Sequence, residues 1–347
     1  MDVLEKAKQV LLALGRGDTP QCIRSRLCQN EDEWDQVSAE AYRLHLEKAR
    51  EQRAKDEAKS NVACTSNEDV AGILALNGIL ADLALCLPPE STMADYRNLR
   101  ELVTGARPEE QRVLLAIEDI TMSPRMRALQ QKGRFEVFPI FRGCASIIEA
   151  GVISYFRGNY ISAYLTLVPV IEGVTLRWMG YTGRGKKPDF RKIKRFVASS
   201  YRRQPCPGNP LFHEVYVNVA DKILREHLFR PSGEGDAHSH FNRHLAAHLL
   251  SDSHFGTKEN CVRLCLLLDV MSELYIYETY CQDPRFYLRG EEIQKEYEGY
   301  VQAFINRADS SAPERTLLLA KDANNHFESN ASPFRCASGQ DAAQVKR

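Results

Sequence analysis

The sequence predicts an all-α fold. In nearly every long segment, apolar residues recur with the 3.6-residue period of a helix, and the alternation typical of half-buried strands is scarce. Hydrophobic residues make up 44% of the 347-residue chain, which is enough for a packed core. Proline and glycine breaks separate the periodic segments, as they do between helices. We therefore expect helices joined by loops and no sheet.

Residues 1–135 predict an N-terminal helical domain for which the residues indicate no role. The run Ser66-Asn67-Glu68-Asp69 is the expected cap of an apolar helix, and Pro88-Pro89 is its expected end. Turn-forming residues at Ser123-Pro124 and Lys132-Gly133 indicate a boundary near residue 135. The helices expected in this part of the chain span residues 1–14, 32–60, 66–87, 92–104 and 108–121.

Residues 136–307 predict a second and more apolar helical bundle. The expected helices span residues 138–156, 160–179, 190–201, 211–229, 238–250 in part, 257–280 and 291–307. After these, residues 308–347 are rich in Ser, Ala and Asn without a periodic pattern. This composition predicts a disordered tail.

Composition and charge exclude several classes of protein. The chain has 46 basic and 46 acidic residues, so it does not bind nucleic acid by bulk charge as a histone does. The longest mainly apolar stretch, 71–87, contains Asn77 and Asp82 and is too short for a membrane span. The N-terminus carries acidic residues and lacks the apolar core of a signal peptide. We expect a soluble, cytoplasmic protein with no membrane partner.

Histidines are concentrated in one segment of the chain. Four of the nine lie within residues 238–248, which read His-Ser-His-Phe-Asn-Arg-His-Leu-Ala-Ala-His, and His254 follows. Histidine is the side chain best suited to transfer protons near neutral pH, and an adjacent arginine stabilises charge on a transferring phosphoryl group. The segment therefore indicates phosphodiester cleavage that needs neither a metal nor another cofactor.

The pattern Asn242-Arg243-His244-x-x-x-His248 resembles the signature of the HEPN superfamily of helical-bundle proteins, in which arginine, a polar residue and a short gap precede histidine. The run 255–260 with the helix that follows it, and the segment 160–173, also resemble members of that group. The resemblance covers about residues 136–283. The chain departs from the related pattern in which glycine follows the last histidine, because Leu249 stands there.

The resemblance implies a metal-independent ribonuclease in which the RNA 2′-hydroxyl attacks and a cyclic phosphate is left. His248 would be the acid or base, and Arg243 would bind the scissile phosphate. His244 would orient the phosphate, Asn242 would support by hydrogen bonding, and Glu172 would hold Arg243. The resemblance also implies a homodimer with the cleft between protomers, and a role as a toxin or antiviral effector with a regulatory protein or antitoxin as partner.

Helix geometry leaves a second interpretation of the histidines open. Residues 243 and 248 lie 140° apart around a regular helix, whereas His240, His244 and His248 share a face. A histidine stripe with this spacing could bind zinc, which gives the alternative of a zinc-stabilised helical protein. Arg243 in the middle of the stripe would repel a cation, and no cysteine or carboxylate completes the set, so we assign no metal ligand.

A basic segment, 177–203, is the second feature with a functional implication. It contains ten basic residues and one acid, and aromatic residues are interleaved with them. Phosphate contacts with base stacking would suit an RNA strand, whereas a solvated helix face is the structural alternative. The candidate RNA-binding residues are Lys186, Lys187, Arg191, Lys192, Lys194 and Arg195.

Together these features favour an endoribonuclease. A non-catalytic HEPN-like module for dimerisation or for nucleotide or RNA binding is the competing prediction. The zinc-stabilised protein is the third.

Overall fold

The computed structural model describes residues 2–59, 65–105, 110–231, 238–248 and 254–308. Within these ranges the chain is all-α and contains no strand. The α-helices of the described residues, numbered α1 to α16 in chain order, are Val3–Gly15, Pro20–Leu27, Glu31–Lys59, Asn67–Asp82, Met93–Thr104, Glu110–Thr121, Pro124–Gln130, Pro139–Arg142, Ala145–Phe156, Tyr160–Trp178, Phe190–Arg195, Ser200–Arg203, Pro210–Ile223, Arg243–His248, Lys258–Thr279 and Gly290–Ala308.

The all-α prediction is confirmed, and most expected helices are present within a few residues of their expected bounds. Ser66 caps α4 in a capping box with Asp69, as its position predicts. That helix ends at Asp82 rather than residue 87 because the chain turns at Ala84, whose φ is 55°. The buried amide of Asn77 accepts a hydrogen bond from the Leu87 N–H at 2.7 Å and holds the turn against the helix.

Two helices predicted as single are interrupted. The one expected at 138–156 divides into α8 and α9 at Gly143-Cys144, where the Arg177 guanidinium packs on Gly143 and donates to Cys144 Sγ at 2.9 Å. The basic helix expected at 190–201 divides into α11 and α12. Helices α2 and α7 were not expected from the sequence. Each has a proline at its first position, directly after a Thr or Ser cap. Residues 309–347 of the predicted tail lie outside the described residues.

The apolar core consists of two clusters. The larger one runs continuously from Leu46 to Ala303 and so draws residues from both sides of position 135. The smaller one joins α1, α2 and the first part of α3 around Trp34. Packing is therefore continuous across the predicted boundary at 135, and the division of the chain into two domains stays a prediction.

Helix α10 lies at the centre of the part of the bundle that concerns function. It packs against α9 on one side and α15 on the other, and it also contacts α8, α11 and the short α14. Its buried residues include Glu172, a carboxylate among apolar neighbours. Helix α10 therefore positions one acidic side chain beside both the basic segment and the histidine-rich segment.

Five-residue π-helical turns follow α7 and α13, at Gln131–Phe135 and Leu224–Leu228. The first of them places Arg134 in the interior, where it contacts Glu273 and Asp283 at 2.6 and 2.7 Å. Such turns insert an extra residue into a helix and re-aim the side chains beyond it. No helix among the described residues combines the length and apolar content that crossing a bilayer requires.

Candidate functional site

The histidine-rich segment is held in place by the start of α15. Asn260, which is fully buried, donates through its amide to the carbonyls of Ser239 and Phe255 at 2.8 and 3.0 Å. Arg263, one turn later, donates to the Asn260 side chain and to the Leu83 carbonyl, both at 2.9 Å. Burial lowers the pKa of Arg263 to about 10, although Glu110 beside it favours the charged form. This polar cluster fixes the backbone that leads into the motif.

The histidines of the segment do not form one helical stripe. Helix α14 begins only at Arg243, and His240 precedes it in the left-handed conformation with φ 57°. His240 stacks on His254 with ring centroids 5.6 Å apart, and His238 Nε2 lies 2.7 Å from Glu110 Oε1. His240 and His244 therefore do not share one face of a regular helix.

Asn242 serves the local fold. It is buried, and its side-chain oxygen accepts from the His244 N–H at 2.7 Å while its amide donates to the Arg230 carbonyl at 2.9 Å. The first contact is the N-terminal cap that starts α14, since asparagine offers an oxygen to the unpaired N–H groups there. Asn242 therefore sets where Arg243 begins its helix, and its amide points away from solvent.

Arg243 lies against Glu172 of α10. Its Nη2 is 2.7 Å from Glu172 Oε2, which is the contact that the resemblance implies. The other carboxylate oxygen accepts from Lys187 Nζ, also at 2.7 Å. The Glu172 side chain is only 9% exposed, whereas 26% of Arg243 and 53% of Lys187 remain accessible. One buried carboxylate is thus shared by the arginine of the motif and a lysine of the basic segment.

The aromatic ring of Phe190 packs against the Arg243 guanidinium. The Arg243 guanidinium lies 5.3 Å from its ring centroid, and the rings of His244 and Phe229 meet it edge-on at 5.9 and 5.3 Å. A cation above an aromatic face is attracted by the ring quadrupole, so Phe190 helps to orient Arg243. His244 is brought to the same cluster. The His248 side chain lies outside the described part of the structure.

The basic segment separates into two groups of residues. Lys187, Arg202 and Arg203 form ion pairs with Glu172, Asp35 and Glu278 respectively. Arg177 donates to Cys144 Sγ. Among the described residues, the other six cations of the segment have no acidic side chain at ion-pair distance: Arg184, Lys186, Arg191, Lys192, Lys194 and Arg195. Of these six, all but Lys194, which is half-buried, are exposed. Five of the six candidate RNA-binding residues therefore belong to this unpaired set, and Lys187 is the exception.

The aromatic residues of the segment are mostly engaged within the fold. Phe196 is buried, with the Arg203 guanidinium 3.6 Å above its ring and Trp178 at its edge. Phe190 lies beneath Arg243. Trp178, Tyr181, Phe190 and Tyr201 are half-exposed. The expected interleaving of phosphate contacts with base stacking is therefore limited, and the surface that this segment offers is chiefly cationic.

Asn260 and Arg263 were not among the residues predicted to support the motif. Their signal was a polar pair three residues apart near the start of a long, mainly apolar helix. No sequence feature predicted a cavity of about 620 Å³ that residues of α6, α7, α9, α15 and α16 line, among them Phe304 and Arg307. Among the described residues, no group of three or more His, Cys, Asp or Glu side chains has the arrangement of a metal site.

Comparison of the chain with protein-family models, with curated proteins and with solved structures finds no match. The residues of the site therefore carry the functional argument themselves.

Proposed function

We propose that this chain is a metal-independent endoribonuclease of the HEPN kind, with Arg243 binding the scissile phosphate and His248 transferring the proton. The observation that carries the proposal is the position of Arg243 beside residues 184–195 of the basic segment. Arg243 contacts Glu172, which also binds a lysine of these residues, and it lies over the ring of Phe190, which belongs to them. An arginine held over an aromatic ring presents a fixed set of donors, which suits a phosphate whose charge grows in the transition state.

The roles of the other residues follow from their contacts. Six unpaired cations attract the RNA backbone, and they supply the affinity that does not depend on base sequence. Asn242 positions Arg243 by starting α14, and so acts through the backbone. His244 packs on Phe190 beside Arg243, within the same cluster. A homodimer with a shared cleft, and a role as a toxin or defence effector with a protein regulator, belong to this proposal as implications of the resemblance.

The competing function is a non-catalytic module that binds RNA or nucleotides. The observation that favours it is the ion pair of Arg243 with a buried carboxylate, which neutralises the cation that catalysis requires. In that case the same cationic surface binds the ligand and no bond is broken.

Labelled RNA incubated with the purified protein in EDTA tests the proposal. We expect cleavage that yields a 2′,3′-cyclic phosphate, lost in His248→Ala and reduced about 100-fold in Arg243→Ala. His254→Ala is the matched control, because this exposed histidine lies outside the motif, and it should keep activity. Cleavage that requires a divalent metal, or that survives in His248→Ala, would refute the mechanism. RNA binding without cleavage would favour the binding module.

A further inference from the structure

The shared carboxylate of Glu172 gives Lys187 a role that differs from that of its neighbour Lys186. Both lysines lie in the loop between α10 and α11, and both carry one positive charge. Only Lys187 contacts Glu172, and Lys186 has no acidic side chain at ion-pair distance among the described residues. The two lysines therefore offer a natural comparison between a cation that merely attracts RNA and one that acts on the site.

We infer that Lys187 is a positioning residue, which holds the charge of Glu172 when an RNA phosphate takes Arg243 from it. This inference rests on the proposed function. Arg243 and a phosphate can form a paired contact only if Glu172 gives up its hold on the guanidinium. A carboxylate that is 9% exposed loses much of its hydration, so leaving it without a cation is costly.

Lys187 removes that cost because it already contacts the second oxygen of the same carboxylate. When Arg243 turns to the phosphate, Glu172 keeps one cation at 2.7 Å and is never left unpaired. The loop that carries Lys187 bends at Gly183 and Gly185, both with φ above 80°, where a side chain would strain the backbone.

The effect should appear as non-additivity between Lys187 and Arg243. Without Lys187, Arg243 must remain with Glu172, and part of its contact with RNA is lost. If Arg243 has already been removed, Lys187 can contribute only its charge to the binding of RNA. Residues that contact one another through a shared partner show such coupling, whereas independent residues do not.

The experiment measures the affinity for a short RNA made uncleavable by 2′-O-methyl groups, so that binding is read separately from cleavage. Lys186→Met should weaken binding about fourfold at 0.15 M salt, the loss of one phosphate contact. The single variant Lys187→Met should weaken RNA binding about ten times as much as Lys186→Met does. In the Arg243→Gln background, the penalty of Lys187→Met should fall to that of Lys186→Met, while the penalty of Lys186→Met should stay unchanged.

Two results would overturn the inference while leaving the proposed function standing. One is equal penalties for Lys186→Met and Lys187→Met in the unaltered protein. The other is a Lys187→Met penalty that Arg243→Gln does not change. If the unaltered protein binds no RNA at all, the proposed function fails and this inference fails with it. Circular dichroism and melting curves of each variant establish that the fold is intact, which the exposure of both lysines leads us to expect.

Discussion

Two arginine-rich regions of this protein differ in how completely their charges are paired. In the interior, Arg127 and Arg134 are 1% exposed, and both contact carboxylates. In residues 184–195 of the basic segment, six cations have no acidic partner among the described residues, and five of them are exposed. The interior arginines are paired with carboxylates from other parts of the chain, so they support the fold. The basic segment has positive charges that no acidic side chain among the described residues pairs with, so it is the region available to an anionic partner.

The interior region is a chain of ion pairs between α7, α15 and the segment after α15. Arg127 forms a two-pronged contact with Asp269 and donates through Nε to the Thr121 carbonyl at 2.6 Å. Arg134 contacts Glu273, Asp283 and the Ser272 hydroxyl. Buried charges at these positions are tolerated because each one has hydrogen-bonded partners of opposite sign.

The largest effect is expected when one member of a fully buried pair is removed. Asp269→Ala leaves Arg127 charged in the core without its carboxylate partner, and the free energy of unfolding should fall by about 3 to 5 kcal/mol. Urea denaturation measures it. Replacing both members, in Arg127→Met with Asp269→Leu, should cost clearly less than Asp269→Ala alone. If the double variant loses as much free energy of unfolding as Asp269→Ala or more, the pair stabilises the fold beyond neutralising its own charges.

Arg203 tests whether sequence position or pairing decides the role of a cation. It belongs to the basic segment by sequence, but it forms a two-pronged contact with the buried Glu278 and covers Phe196. Burial raises the pKa of Glu278, and Arg203 with His213 more than offsets this, so the net shift is downward. We expect Arg203→Met to lower the free energy of unfolding by about 2 to 3 kcal/mol. This is less than for the fully buried pair, because the Arg203 side chain is 23% exposed. The salt dependence of RNA binding should not change. A flatter dependence with unchanged stability would place Arg203 with the unpaired cations.

Asp283 gives the interior region a dependence on pH. Burial would raise the pKa of its carboxyl, but Arg285 and Arg134 hold it at about 2. Because this lies below the ordinary value, the unfolded chain binds more protons between about pH 5 and 2. The stabilisation is therefore complete above about pH 5 and is lost as the pH falls toward 2.

That stabilisation amounts to about 2 kcal/mol, because the pKa of the Asp283 carboxyl lies at about 2, well below its ordinary value. Asp283→Asn should remove it at pH 7 and flatten the profile of unfolding free energy between pH 5 and 2, as measured by urea titration at several pH values. Asp119→Asn, a change at an exposed carboxylate, is the control and should leave the profile as it is. An unchanged profile in Asp283→Asn would contradict the assignment.

The smallest effect on stability is expected in the basic segment. Lys192→Gln removes an exposed cation without an acidic partner, so the free energy of unfolding should change by about 0.5 kcal/mol or less. Its affinity for RNA should fall about fourfold at 0.15 M salt, and the slope of log affinity against log salt should become less steep by about 0.7. Anisotropy titrations at four salt concentrations measure both. An unchanged slope would indicate a solvated helix face with no contact to RNA.

Much of the fold follows from local sequence signals. The helical period predicts the all-α class, and the polar run that begins at Ser66 predicts the start of α4, whereas the end expected at Pro88-Pro89 falls at Asp82. These signals are local because a helix satisfies its hydrogen bonds within a few residues. The interruption at Gly143-Cys144 could not be predicted in this way, since it accommodates Arg177 from a different helix.

The sequence by itself determined the helical class, the position of the Asn-Arg-His segment and the excess of positive charge in 177–203. Tertiary structure alone decided which charges are paired. It joined Glu172 to Arg243 and Lys187, used Asn242 as a helix cap and separated His240 from the helix of His244. The physical reason is that pairing depends on distances between residues far apart in the chain. Two cations in one basic run look alike in sequence, and they differ only in what the fold places beside them.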